Sequence, residues 1–235
     1  MPLLVHGVVA RTAALDRAAF GDLDAPAVVA GGEVAAIVSD VTDEELVPSR
    51  RLLLRHRDVV EAAARHTTVV PMRFGVAAPS EDRLVEDFLA PAEERLVASL
   101  ARLRGHREFR LRGRYDEAAA LRAVLAADPQ ARRLQGRRGV DAKMALGERI
   151  VQGLERRRGA DTARALDLLR PVVADVVPGA ISDPLDVFAL SLLLPEPEQA
   201  VFDDVLDRAA EALAPEVELE LVGPMPAYSF AEMED

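Results

Sequence analysis

Four histidines, His6, His56, His66 and His106, are the first candidates for proton transfer or metal ligation. They fall on different expected elements, and no HExxH or comparable ligand pair joins them. His56 and His66 stand ten residues apart around one helix and read as capping or partly buried structural residues. Asp203, Asp204 and Asp207 could suggest a cation site, but their setting is that of the solvated face of an amphipathic helix. Ser191 lies inside an apolar run, with no G-x-S-x-G turn to present it as a nucleophile. Gly31-Gly32 lacks the spacing of a phosphate-binding loop, and neither GxxxxGK[ST] nor GxGxxG occurs. The chain has no cysteine, which excludes disulfides, thiolate metal sites and Cys nucleophiles and fits a cytoplasmic protein. The expectation from these residues is a protein that is not an enzyme, with no catalytic site, no metal and no cofactor.

Recognition offers more. The segment Gly223-Pro224-Met225-Pro226-Ala227-Tyr228-Ser229-Phe230 holds two prolines spaced by one residue, which exclude a helix and disfavour a central strand. An extended or polyproline-like tail is therefore expected. Tyr228 and Phe230 belong to a set of only 7 Phe and 2 Tyr, and in an extended chain their spacing puts both rings on one side. Such anchors dock on something. The expected use of the rings is to pack within the protein and lock its domains together; the alternative makes Met225, Tyr228 and Phe230 partner-binding residues. Basic clusters at Arg132-Arg133, Arg137-Arg138 and Arg156-Arg157-Arg158 have no interleaved aromatics, and the chain carries a net charge of −11, so no nucleic acid is expected. That charge is uneven: residues 105–158 hold 14 basic and 7 acidic groups, whereas residues 159–235 hold 3 and 17. Solvated helix faces with some Arg–carboxylate pairs account for the runs.

The elements that position these residues can be read from periodicity. A length of 235 residues at 50% hydrophobic content supports one large or two small domains. No apolar run approaches the roughly 20 residues of a membrane span, and no signal peptide is read at the N-terminus. Residues 3–10 read as a buried strand, and residues 27–30 and 34–41 as a hairpin around Gly31-Gly32. Residues 43–65 read as helix interrupted at Pro48, with Ser49 capping a stretch that turns Leu52, Leu53, Val59, Val60 and Ala63 inward. A strand at 67–70 runs into Pro71. Residues 80–104 form an amphipathic helix capped by Ser80, kinked or split at Pro91 and stopped at Gly105. A second block follows: strand 106–115, helix 116–127, helix 141–158 and 162–169 with a weak point at Gly159, strand 172–177, central strand 187–194, helix 196–214 with Val201 and Val205 inward, and strand 216–222. The fold class expected is α+β, an α/β sandwich in two domains. Residues 1–104 make an N-terminal domain. Residues 105–223 make a β-α-β-β-α-β domain of ferredoxin-like order, and residues 224–235 an extended tail.

Three segments carry a family resemblance. Val69-Val70-Pro71-Met72-Arg73-Phe74-Gly75 resembles the strand-exit motif V-[LV]-P-[MV]-R-F-G of the gas vesicle protein F/L family (GvpF/GvpL). Residues 223–230 resemble that family's terminal G-P-[WM]-P-P-Y-[SN]-F, with Ala227 where the family has a second adjacent proline. Arg55-His56-Arg57-Asp58-Val59-Val60-Glu61 resembles the helix that precedes the first motif. Order and spacing match from residue 3 to residue 230.

The resemblance implies a two-domain protein whose C-terminal half is a modified ferredoxin-like fold. It implies a non-enzymatic accessory or minor structural protein, associated with the gas vesicle in the cytoplasm. Such a protein binds the small hydrophobic shell protein, works beside other accessory proteins and assists nucleation and assembly. It also marks His56, Pro71, Arg73, Phe74, Gly75, Gly223, Pro224, Pro226, Tyr228 and Phe230 as motif residues. Pro71 and Phe74 are expected in turn and core roles, and Arg73 as an ion-pair partner or a donor to carbonyls. A shell subunit with an apolar gas-facing surface needs cover in water, which an edge strand or apolar groove could give. The tail and the strands at 106–115 and 216–222 are the candidate surfaces. A small-ligand regulatory module on a ferredoxin-like domain is the rival reading, and an enzyme with an unrecognised site the third.

Overall fold

In a computed structural model, which describes residues 1–231 apart from Asp22, Asp24 and Ala25, the apolar run Leu3–Ala10 forms strand β1. The chain is a mixed α+β fold with two antiparallel sheets. It divides into two compact units, Met1–Glu108 together with Pro224–Asp235, and Phe109–Gly223.

In the first unit β1 is followed by a 3-10 turn at Arg17–Phe20, β2 (Ala27–Gly31), β3 (Val34–Asp40), a 3-10 turn at Asp43–Leu46 and α1 (Arg50–Ala64). Two short strands, β4 (Val70–Pro71) and β5 (Ala77–Ala78), lead to α2 (Glu81–Leu84) and α3 (Ala90–Leu103). The sheet order is β2-β3-β1-β4, with β5 also paired to β1. β1 and β3 are apolar on both faces and buried on both. The turn between β2 and β3 is made by Gly32, at φ +66°, and Glu33, whose N–H is held by the Glu93 carboxylate at 2.5 Å. Ser49 accepts from Leu52 N–H and starts α1, which packs Val59, Val60 and Ala63 onto Val9, Ala35 and Ile37. Leu53, expected inward, is 45% exposed, because the buried stripe runs through Leu52 and His56 instead. The strand expected at 67–70 shortens to Val70–Pro71. Ser80 caps the next helix as expected. Its irregularity lies just before Pro91, as a π-helical turn at Val85–Leu89. Pro91 offers no N–H and its ring displaces the carbonyl four residues back, which falls inside that turn.

The second unit contains most of β6 (His106–Tyr115), then α4 (Glu117–Ala127), α5 (Pro129–Gln135), α6 (Val140–Leu169), β7 (Asp175–Pro178), β8 (Asp186–Pro195), α7 (Gln199–Leu213) and all but the end of β9 (Val217–Met225). The sheet order is β7-β8-β6-β9. β8 is central and almost wholly buried, as its unbroken apolar run predicts. The core gathers Phe109, Leu111, Leu190, Leu192, Leu169 and Phe202. Tyr115 donates its hydroxyl proton to Asp161 at 3.1 Å, tying β6 to α6.

Two expectations are corrected in this unit, and one element is added. The first helix ends before Asp128-Pro129, and residues 129–135 form a further short helix: Asp128 accepts from the N–H groups of Gln130 and Ala131, and Pro129 sits where a first-turn proline is tolerated. Gly159 does not interrupt α6, whose buried positions Gly153, Asp161, Ala165 and Leu169 carry the stripe straight past it. On α7 Val201 is 46% exposed and Phe202 takes the core position, in phase with Val205, Ala209 and Leu213.

The tail departs from an extended path. Gly223, Pro224 and Met225 continue β9 at the sheet edge, where a missing N–H is tolerated, and Tyr228–Phe230 turns as a 3-10 helix. Tyr228 and Phe230 therefore do not sit on one side of a straight chain: Phe230 is buried and Tyr228 half-buried.

Candidate functional site

His6 occupies the irregular position of β1. Pairing with β3 runs from Leu3↔Asp40 to Val5↔Val38 and resumes at Gly7↔Ile37, so His6 is the extra residue of a bulge. Its side chain is 1% exposed. Gly7 lets the next segment cross at close range: a Cβ there would stand 2.7 Å from Val69 Cγ1 and 3.1 Å from the Val70 carbonyl oxygen. α1 delivers His56 to the same spot from the other side. The two imidazoles approach with Nδ1 to Nδ1 at 3.0 Å and ring centroids 4.9 Å apart.

The outer contacts fix where the protons sit. The Met72 carbonyl oxygen is 2.9 Å from His56 Nε2 and can only accept, so that nitrogen carries a proton. His56 Nδ1 is then the acceptor, and His6 Nδ1–H donates to it. His6 Nε2 is left as an acceptor for the Ser39 hydroxyl, 2.9 Å away. Every step runs one way: Ser39 to His6, His6 to His56, His56 to the Met72 carbonyl. Phe74 stands edge-on to the His56 ring at 5.7 Å and 86°. Burial holds His6 far below its ordinary value, at about 3, with His56 and Arg55 adding to the effect. Burial lowers His56 too, against the bond to Met72, which raises it. All four ring nitrogens are engaged, which leaves this pair no lone pair for a substrate or a metal. Its chemistry is that of a buried polar strut joining β1, β3, α1 and the 69–75 turn.

The predicted residues divide around this strut. His56 and Phe74 meet in it directly. Pro71 is buried and pairs with Gly7 on β1. Arg73 is exposed, and its carbonyl accepts from Val76 N–H at 3.4 Å. Gly75 adopts φ +100°, which closes the turn and favours glycine. Of the tail residues in this unit, Pro226, Ala227 and Phe230 are buried and Pro224 is exposed, while Met225 and Tyr228 are half-buried. Tyr228 lies against the cluster of Val9, Ile37, Val59 and Ala63. Glu108, fully buried, fixes the turn: its carboxylate accepts from Ser229 N–H at 2.7 Å and from the Ser229 hydroxyl at 2.8 Å. Gly223 belongs to the other unit and is exposed on β9.

Ser39 and Glu108 are the residues that sequence reasoning missed, together with the pairing of His6 with His56. A single imidazole in an otherwise apolar strand was a signal for His6. Glu108 gave none, since strand alternation groups it with exposed Arg110 and half-exposed Arg112.

Elsewhere, Asp203, Asp204 and Asp207 lie exposed on α7. Among the described residues no group of three or more His, Cys, Asp or Glu could hold a metal ion, and no helix is long and apolar enough to cross a membrane. A cleft of about 390 Å³ in the second unit is lined mainly by apolar side chains, among them Leu166, Val173, Val176 and Leu190, with Arg170 and Asp175.

Comparison with known proteins places these features. The family model described as gas vesicle synthesis protein GvpL/GvpF matches residues 3–232. Gas vesicle protein F of Streptomyces sp. (strain CB03234) is 33% identical over 207 residues, covering 86% of this chain and 85% of that one. Gas vesicle protein F of Nostoc sp. (strain PCC 7120 / SAG 25.82 / UTEX 2576) is 22% identical over 207 residues, covering 84% of each. The crystal structure of GvpF from Anabaena sp. PCC7120 superposes with a TM-score of 0.85 over 100% of this chain and 99% of that one, at 18% identity. That of GvpF from Microcystis aeruginosa gives 0.79 over 99% of each, at 19% identity. These structures share the α+β fold, and the family model spans nearly every residue described above. The chain belongs to the gas vesicle synthesis protein GvpL/GvpF family.

Proposed function

We propose that this chain is a non-enzymatic accessory or minor structural protein of the gas vesicle. On this reading it binds the small hydrophobic shell protein and assists nucleation and assembly, alongside other gas vesicle accessory proteins and in the cytoplasm. The observation that carries the reading is the match to the GvpL/GvpF family over residues 3–232. The chemistry of the motif residues agrees with it. The polar groups of the His6–His56 pair are spent on one another and on the fold, which suits a scaffold better than a reaction centre. Phe230 and Pro226 are buried within the first unit, so the tail serves as a clamp that finishes that unit. Met225 and half-buried Tyr228 retain surface that a partner could touch.

The second unit is read as a modified ferredoxin-like domain. The order β7-β8-β6-β9, with helices after its first and third strands, supports that reading. Helix α5 is the modification, inserted between α4 and α6.

Co-expression tests the function. The tagged chain is expected to retain the shell protein through native purification. Absence of association under those conditions would sink the assembly reading.

A further inference from the structure

Sheet edges expose unpaired backbone groups, and folded proteins guard them with charge, proline or very short strands. Three of the edges here are guarded. On β7 the pairing with β8 alternates, and Gly179 N–H bonds to Ala189 on the inner side, so Val176 and Pro178 face outward. The Val176 N–H is taken by the Asp175 carboxylate at 2.8 Å, and Pro178 has no N–H to offer. β9 carries exposed Glu218, Glu220 and Pro224. β4 and β5 are two residues each, and β4 ends in Pro71.

β2 has none of these devices. It reads Ala27-Val28-Val29-Ala30-Gly31, without charge or proline, and ends the sheet order. Its register closes the hairpin at Gly31↔Val34 and continues through Val29↔Ala36 to Ala27↔Val38. The Arg11 N–H bond to the Glu33 carbonyl sets the neighbouring phase of β3 toward β1. The N–H and C=O groups of Val28 and Ala30 therefore point away from the sheet. Among the described residues no backbone group outside the sheet bonds to them. Val28 is 41% exposed, and the Ala30 side chain is exposed beside it.

We infer that the outer edge of β2 is an interaction surface that accepts an extended, uncharged, apolar segment of another protein as an added strand. Main-chain groups of Val28 and Ala30 supply the hydrogen bonds, and their side chains supply an apolar strip. The absence of charge selects the occupant: a charged segment would find neither carboxylate nor guanidinium within Ala27–Gly31 to pair with. A second copy of this chain is disfavoured, since each copy brings a net charge of −11. The inference rests on the assembly reading above, which makes the segment part of the shell protein.

The test is co-expression of the shell protein with wild type, Val28→Lys, Ala30→Pro and, on β9, Val222→Lys. Both β2 changes fall on groups that face solvent, and melting temperatures near the wild-type value verify that the fold is kept. Wild type and Val222→Lys are expected to retain the shell protein, with recovery falling roughly tenfold or more for Val28→Lys and Ala30→Pro. Equal recovery by all four chains overturns the β2 assignment and leaves the assembly reading intact. No recovery by wild type overturns both. A wild-type dimer in light scattering, made monomeric by Ala30→Pro while shell-protein recovery is unchanged, gives the edge to a second copy and overturns the inference.

Discussion

Two imidazoles that cannot both hold an extra proton make stability a function of pH. His6 ordinarily titrates near 6.5 and in the fold near 3, so below pH 6.5 the unfolded chain binds a proton that the folded chain refuses. Stability is complete above pH 6.5 and is lost as pH falls toward 3, by up to about 1.4 kcal/mol per pH unit from His6 alone. His56 shifts in the same direction. Unfolding free energies from urea titrations at pH 7.5 and pH 5.0 are expected to differ by about 2 kcal/mol, and His6→Gln should flatten most of that difference. Identical wild-type midpoints would refute the neutral buried pair. Glu108 makes a second residue-scale case. Glu108→Ala removes both bonds to the half-buried Ser229, at a cost of about 1–3 kcal/mol. A loss under 0.5 kcal/mol in urea unfolding would mean the tail docks through its rings alone. His56, Pro71, Phe74 and Phe230 were legible because their motifs are contiguous. Glu108 was not, because its partner lies 121 positions away.

Among the elements, hydrophobic periodicity set most strands and helices correctly, and the errors have a common cause. Gly159 reads as a break when helix propensity is weighed alone, but α6 runs through it because Asp161, Ala165 and Leu169 bury on the far side. Val201 and Phe202 compete for one helical phase, and the larger ring takes the core. The π turn at Val85–Leu89 follows from Pro91, whose effect falls a turn upstream of the residue itself. Gly159 also yields a prediction. It is exposed, and a Cβ placed there meets nothing within 4 Å. Gly159→Ala should therefore stabilise the protein by about 0.5–1 kcal/mol through helix propensity. A higher urea midpoint with an unchanged slope is the expected result, and a lower midpoint would show that a break is wanted there.

In the molecule as a whole, the first unit is discontinuous: Phe109–Gly223 is inserted between Glu108 and the Pro224–Asp235 segment that completes it. Sequence reading placed a boundary near residue 104 and a separate tail from 224, because periodicity marks where elements end and says nothing about which unit a returning segment rejoins. Removal of residues 224–235 is expected to raise hydrogen exchange across β1, β3 and α1 while α6 and β8 keep their protection. Equal loss of protection in both units would contradict that division. The insertion also imposes an order on synthesis. The ribosome releases residues 1–108 first, yet Ser229 and Phe230, which close that unit, emerge only after the whole of Phe109–Gly223. At about 5–20 residues per second, the first unit waits roughly 6–24 s with its Glu108 carboxylate and apolar seat uncovered. The unit encoded first is therefore the last to finish folding, and translation speed through the inserted unit sets how long it stays vulnerable.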